Sequence, residues 1–296
     1  MLEEEVHVHR LGAMGDIIMS LCAVANLRKR YKKIIYHTSQ HQKNILENFL
    51  INFVDKVVSE EEEVPWGKEN FVNFYGYRPP HPLFRDFHLI EDFCDEANVN
   101  FNLEIHAINL PPRPLEYSVN KVKGEKNINI TVQSTAGWSR YKEYNKWDEV
   151  INLAKQQNHK YKFFQIGGPN DKALENVDGS FLGKSFDENL AAQAHADLHL
   201  GIDSCFQHTT NLNWVEKKKT KAIIFFGSTH PETFGYKNNV NIFANLKCQP
   251  CNRENKDMTI NSAVPTTECP FLKNDEALCS RKITPDLIVE YIKLYT

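Results

Sequence analysis

Two stretches of this chain alternate short strand-like runs with helical patterns, and few folds satisfy such an alternation. In the first, strand-like runs at Glu5–Leu11, Lys33–Ser39, Val54–Ser59 and Phe71–Phe74 enclose helical patterns at Ile17–Arg30 and Gln42–Phe49, and a further helix is predicted over Leu89–Ala97. In the second, strands at Asn127–Gln133, Lys162–Ile166, Leu198–Ile202 and Lys221–Phe226 alternate with helices at Lys146–Gln157 and Phe186–Ala196. Strands and helices at this spacing build mostly parallel sheets. Between the stretches, Asn109–Lys126 holds Pro111, Pro112 and Pro114 followed by charged residues and reads as an interdomain linker. The expected architecture is α/β, with doubly wound domains over 1–118 and 119–296 facing a cleft. A last helix over 284–295 has Thr284 as N-cap and Pro285 at its first position.

Length and composition agree, since 296 residues with 41% apolar content supply two cores. A net charge of −3 gives no reason to expect nucleic acid as a partner. Basic clusters (28–33 and Lys217–Lys219) are offset by acidic runs at Glu3–Glu5 and Glu60–Glu63 and read as solvated surface. The longest apolar stretch, Ile17–Leu27, is interrupted by Ser20 and Asn26 and is shorter than the ~20 residues a transmembrane helix needs. The expected location is the cytoplasm; peripheral contact with the inner face of the membrane, and the oligomeric state, are left open.

Chemistry is first suggested by Arg10–Tyr31, a strand end, a glycine-flanked turn and a helix. Gly12 and Gly15 permit a tight turn and close approach of a ligand, with Met14 between them. Asp16 follows where the helix begins. Ligands of open α/β sheets bind at the carboxyl ends of strands, so Asp16 is either a helix N-cap or a catalytic base. In the second half, polar residues gather after strand ends: Ser134, Thr135, Arg140 and Lys142; then Gly167; then Asp203, Ser204 and His208; then Gly227, Ser228 and Thr229. Hydroxyls, helix N-terminal amides and a lysine suit a pyrophosphate. Taken singly, Asp203 reads equally as a cap and His208 as a satisfied core histidine.

Four of the seven cysteines, Cys248, Cys251, Cys269 and Cys279, are spaced C-x2-C-x17-C-x9-C. With no secretion signal in the sequence, thiols or metal ligands are expected in preference to disulfides. Thiolates at this spacing can close a tetrahedron around iron or zinc, which predicts a structural metal in a finger over 246–281.

The order of these motifs resembles glycosyltransferase family 9, the ADP-heptose heptosyltransferases. LGAMGDIIMSLCAVANLRKRY is similar to the family's N-terminal motif. ADLHLGIDSCFQHTTNL followed by AIIFFGSTHPETF resembles its donor-site signature, FLGKSFDENLAAQAHADL the segment before that, and QSTAGWSRYKEYNKW its first C-domain strand with the lysine beyond. The resemblance implies a GT-B fold of two Rossmann-like domains, with the acceptor on the first and an ADP-linked heptose on the second. It implies an inverting mechanism without a catalytic metal, with Asp16 as base and Lys142, Asp203, Ser204 and His208 at the donor. Gly12, Met14 and Gly15 would lie on the acceptor side, and Ser134, Thr135, Gly167, Gly227, Ser228 and Thr229 around the donor. The acceptor would be a glycan, a lipopolysaccharide or a protein; a four-cysteine iron-binding finger like this one is found in autotransporter heptosyltransferases, which modify proteins. The family usually has glycine where this chain has Cys205, and many members have a small residue at Asn211. Other readings are a nucleotide-sugar epimerase, which the match at Asp16 disfavours, and a catalytically silent nucleotide-sugar-binding or scaffold protein, which Cys205 favours.

Overall fold

Along the first strand, β1 (Glu3–His9), Val6 and Val8 alternate with His7 and His9, and the period of two sends the valines into the core. The computed structural model describes residues 2–63, 66–74, 88–101, 103, 105, 107–118, 126–137, 140–216, 219–251, 269 and 271–296. After β1 come α1 (Met14–Leu27), β2 (Tyr31–Thr38), α2 (Gln40–Leu50), β3 (Lys56–Ser59), β4 (Phe71–Asn73) and α3 (Leu89–Glu96). Strands β3-β2-β1-β4 form one sheet in that order, all parallel.

The second half holds β5 (Ile128–Val132), α4 (Trp147–Gln157), β6 (Tyr161–Gln165), β7 (Gly179–Ser180), α5 (Phe186–His195), β8 (Leu198–Ile202), α6 (Cys205–Thr209), β9 (Ala222–Phe226), α7 (Pro231–Phe234), β10 (Val240–Phe243), α8 (Leu278–Lys282) and α9 (Pro285–Tyr295). Its sheet is also parallel, ordered β7-β6-β5-β8-β9-β10. Counted within the half, this is the 3-2-1-4-5-6 order of doubly wound nucleotide-binding sheets. Each sheet therefore has a switch point where strand order reverses, between β1 and β4 and between β5 and β8, and a crevice opens there. Thr284 caps α9 by accepting from the Leu287 amide, with Pro285 at the first helical position.

The sheets do not stand apart. Phe186 of α5 stacks on Phe206 of α6 at 5.7 Å and meets Phe49 of α2 edge-on at 5.3 Å, so second-half residues enter the core beneath the first sheet. Part of the proline-rich connector, 119–125, lies outside the described residues. Before it, Tyr117 is buried against Phe164 and donates its hydroxyl to the Ala192 carbonyl, so this stretch is docked on the second half. The basic cluster after α1 is largely paired, Arg30 with Glu3, Lys32 with Glu4 and Lys33 with Glu5 across β1 and β2. Such exposed pairs are worth little individually, in keeping with a solvated surface; Lys217 and Lys218 lie outside the described residues. Among the described residues no helix is long and apolar enough to cross a membrane.

Candidate functional site

The first switch point is organised by an arginine that the sequence does not single out. Arg10 follows β1 and is buried; it donates to the Phe74 carbonyl after β4 at 3.0 Å and lies over the Phe93 ring. Its remaining reach goes to Asp16, whose Oδ2 accepts from Nη2 at 2.6 Å. Helix α1 begins three residues before the point expected, at Met14, with Ala13 as an N-cap that makes no side-chain cap bond. The cap reading of Asp16 is thereby corrected: it stands in the first turn, its carboxylate turned to Arg10 and the cavity. Among the described residues no other group bonds to that carboxylate, which leaves Oδ1 open. Gly12 holds the turn at φ +116°, where a side chain is strained, and a Cβ there would press on Asp16 Oδ2 at 3.3 Å.

The second switch point presents the facing wall. Asp203, after β8, is 2% exposed and accepts from Lys142 Nζ at 2.8 Å and from the Thr229 hydroxyl at 2.6 Å. Burial alone would raise its carboxyl. The Lys142 ammonium, the nearby His208 and the two hydrogen bonds overcome burial and hold it below the ordinary carboxylate range. Lys142 sits in a 3-10 turn, Arg140–Lys142, that lies on the end of β9 because Gly227 has no side chain: a Cβ there would come within 2.1 Å of the Tyr141 carbonyl oxygen. Buried His208 bonds through Nδ1 to the Tyr236 hydroxyl at 3.0 Å. Burial pushes its imidazole down to about 3 against the pull of Asp203, so the ring is neutral near pH 7.

One cavity of about 370 Å³ joins the two switch points. Met14, Gly15 and Asp16 line it from the first half, and Thr135, Lys142, Gly167, Asp203, Ser204 and His208 from the second. The helices meet closely here, since a Cβ on Gly15 would lie 3.0 Å from His208 Cδ2. Five expected residues are not on the wall. Gly12 shapes the Asp16 turn, Gly227 seats Lys142 and Thr229 anchors Asp203. Ser134 accepts from Gln165, and Ser228, just past β9, is buried. Trp138, Ser139 and the Arg140 side chain lie outside the described residues. Cys205 lines the cavity at the start of α6, its thiol pushed up to about 12 by burial. Asn211 instead ties Leu103 and Lys219 together.

Besides Arg10, the sequence reading misses Gln133 and Asp171, both on the wall. Gln133 accepts from the Ser204 hydroxyl and donates to the Thr135 carbonyl, bridging the ends of β5 and β8. Asp171 accepts from the Gly168 amide at 3.0 Å. A polar residue one place beyond a strand end is the available signal for Gln133. Asp171 lies in a loop, where no period marks it.

Of the four clustered cysteines, Cys279 lies within the second core and Cys269 packs against it, while Cys251 is half-buried and Cys248 exposed. Burial first, then the other three sulfurs, pushes Cys251 up to about 12, so the thiols oppose one another's ionisation. The Cys251 amide donates to the Ser228 carbonyl, tying the segment to the end of β9. Among the described residues no group of three or more His, Cys, Asp or Glu is arranged to hold a metal ion. Residues 252–268 and 270 of the expected finger lie outside those described.

No protein-family model matches the sequence, and no curated protein matches it. Solved structures do match the fold. The iron-containing dodecameric glycosyltransferase TibC from enterotoxigenic E. coli H10407 superposes with a TM-score of 0.71 at 14% identity, covering 99% of this chain and 77% of its own. A family 9 glycosyltransferase from Veillonella parvula DSM 2008 gives 0.67 at 13%, covering 99% and 97%. The E. coli ADP-heptose lipopolysaccharide heptosyltransferase II gives 0.66 at 12%, covering 99% and 98%. With two parallel doubly wound sheets and these likenesses, the chain has the GT-B fold.

Proposed function

We propose that this chain is an inverting glycosyltransferase that moves a heptose-type sugar from an ADP-linked donor to an acceptor hydroxyl. One observation carries the reading: the cavity holds a partly exposed carboxylate with an open oxygen, Asp16, and a lysine anchored by a buried carboxylate, Lys142 on Asp203. Residues 1–118 would seat the acceptor and 119–296 the nucleotide sugar. The acceptor hydroxyl gives its proton to Asp16 as its oxygen bonds to the anomeric carbon. The bond from that carbon to the phosphate oxygen breaks, and ADP leaves with the electron pair. A base so placed is worth about 10²–10⁴-fold. The charge developing on the diphosphate meets Lys142 and the Thr135 hydroxyl, groups fixed before reaction begins. Structures of E. coli heptosyltransferase WaaC with ADP and with ADP-2-deoxy-2-fluoro heptose, and of TibC with an ADP-heptose, support the choice of nucleotide. The test is to incubate the protein with ADP-, GDP- and UDP-sugars and with glycan, lipopolysaccharide and protein acceptors, reading products by mass spectrometry. Transfer from the ADP-linked heptose is expected. Epimerised sugar without transfer, or binding without turnover, would replace this reading with one of its competitors.

The reading includes a structural iron or zinc at Cys248, Cys251, Cys269 and Cys279. The thiolate donor set and the C-x2-C spacing support it, as does the iron-containing TibC. A metal would cross-link the polar interval 252–268 where no apolar core can. Purified protein is expected to carry about one iron or zinc per chain; substoichiometric amounts of both would remove the assignment.

A further inference from the structure

We propose that Tyr236 is a positioning residue: its phenol fixes the tautomer of His208, so that the Nε2 hydrogen points into the cavity as a neutral donor for the nucleotide's diphosphate. The second half of this statement rests on the nucleotide-sugar reading above. Tyr236 is 3% exposed, and its hydroxyl has one hydrogen-bond partner among the described residues, His208 Nδ1 at 3.0 Å. A phenol has a hydrogen to place, and a neutral imidazole carries one on either nitrogen. Were it on Nδ1, the phenol oxygen would accept it, and the phenol's own hydrogen would stay buried with no acceptor. Leaving a buried polar group unpaired is costly. With the phenol donating to Nδ1, both groups are satisfied and the imidazole hydrogen sits on Nε2.

The surroundings favour the same state. Burial holds the Tyr236 phenol protonated, pushing it well above its ordinary value, and keeps the His208 ring neutral. Nε2 has no protein partner among the described residues, and His208 lines the cavity. The nitrogen lies against the start of α1, 3.3 Å from where a Gly15 Cβ would stand, in the cavity that Asp16 and Lys142 also line. Gly15 thus leaves room for the ring, and Tyr236 sets which nitrogen of it offers a hydrogen.

The test combines nitrogen NMR of the histidine-labelled full chain with calorimetry of ADP binding. His208 is assigned by the signal lost in His208→Gln. The wild-type ring should show a protonated Nε2 and a bare Nδ1 at neutral pH; a protonated Nδ1 would overturn the proposal whatever the protein binds. Tyr236→Phe, which keeps the ring and loses the hydroxyl, should weaken ADP roughly threefold to tenfold, the scale of one hydrogen bond. In the His208→Gln background the same change should have no further effect. An equal loss in both backgrounds would mark Tyr236 as a packing residue and overturn its role through His208. Wild-type protein that shows the expected tautomer but does not bind ADP would overturn the diphosphate assignment and the nucleotide-sugar reading, and leave the tautomer standing.

Discussion

Asp16 and Asp203 make an instructive pair. Each lies beyond a strand at a switch point, each accepts from a cation at under 3 Å, and both border the same cavity. Their surroundings separate them. Asp16 has about a fifth of its side chain exposed and bonds through one oxygen to an arginine that is itself clamped to β4. Asp203 is buried, and Lys142 and Thr229 share its Oδ2. The same residue type is thus left with one oxygen open beside the cavity in one half and made into an anchor for a lysine in the other. Burial and the number of hydrogen-bond donors decide which, more than position in the motif does.

The largest effect expected from breaking this contrast is on turnover. Asp16→Ala should lower transfer by about 10²–10⁴-fold, with ADP affinity nearly intact by calorimetry. Retention of more than about a tenth of the wild-type rate would remove Asp16 as base. Next comes stability. Asp203→Ala leaves the Lys142 ammonium and the Thr229 hydroxyl without their shared acceptor and should cost about 3 kcal/mol in urea unfolding.

Acid titration should separate the anchor from its histidine neighbours. Burial sets folded values of about 3 for both His199 and His208. Unfolded histidines take protons near pH 6.5, so the unfolded chain binds protons first as pH falls. Stability is complete above that value and is lost between pH 6.5 and about 3, by up to about 1.4 kcal/mol per pH unit for each ring. Asp203, with its folded value depressed, contributes stability above the unfolded carboxyl value of about 3.9 and loses it only as pH falls further. Unfolding free energies between pH 7 and 4.5 should therefore decline in wild type and decline in parallel in Asp203→Asn. A flat wild-type profile would contradict the buried neutral histidines. The smallest effect is expected from Thr229→Val, which removes one of the anchor's two bonds and should cost about 1–2 kcal/mol.

Long elements are legible in the sequence because apolar residues repeat over several turns or alternations, as in α1, β2 and α4. Several short ones are not, although β3 and β4 are: β7 has two residues, α7 four, and β10 reads Val-Asn-Ile-Phe, too brief to show a period. At the site, residues that follow strands, such as Asp16, Lys142 and Asp203, can be placed before any coordinates. Arg10 cannot, because its task depends on β4 lying beside β1, 64 residues away in sequence. Gly227 and Thr229 read as ligand contacts; in the structure neither lines the cavity, Gly227 making room for the Lys142 turn and Thr229 donating to Asp203. Motif spacing tells which strand end a residue follows, whereas side-chain direction is set by packing between elements distant in sequence.

The most direct test of the division between the two carboxylates is to measure transfer rate and unfolding free energy side by side for Asp16→Asn and Asp203→Asn. Asp16→Asn, whose amide oxygen can still accept from buried Arg10, should lose at least about 100-fold in rate with the smaller loss of stability. Asp203→Asn, losing the charge shared by Lys142 and Thr229, should show the larger loss of stability, with its rate falling as Lys142 is released. If both variants show the same balance of lost rate and lost stability, the two carboxylates do not differ in role, and the assignment of base and anchor is wrong.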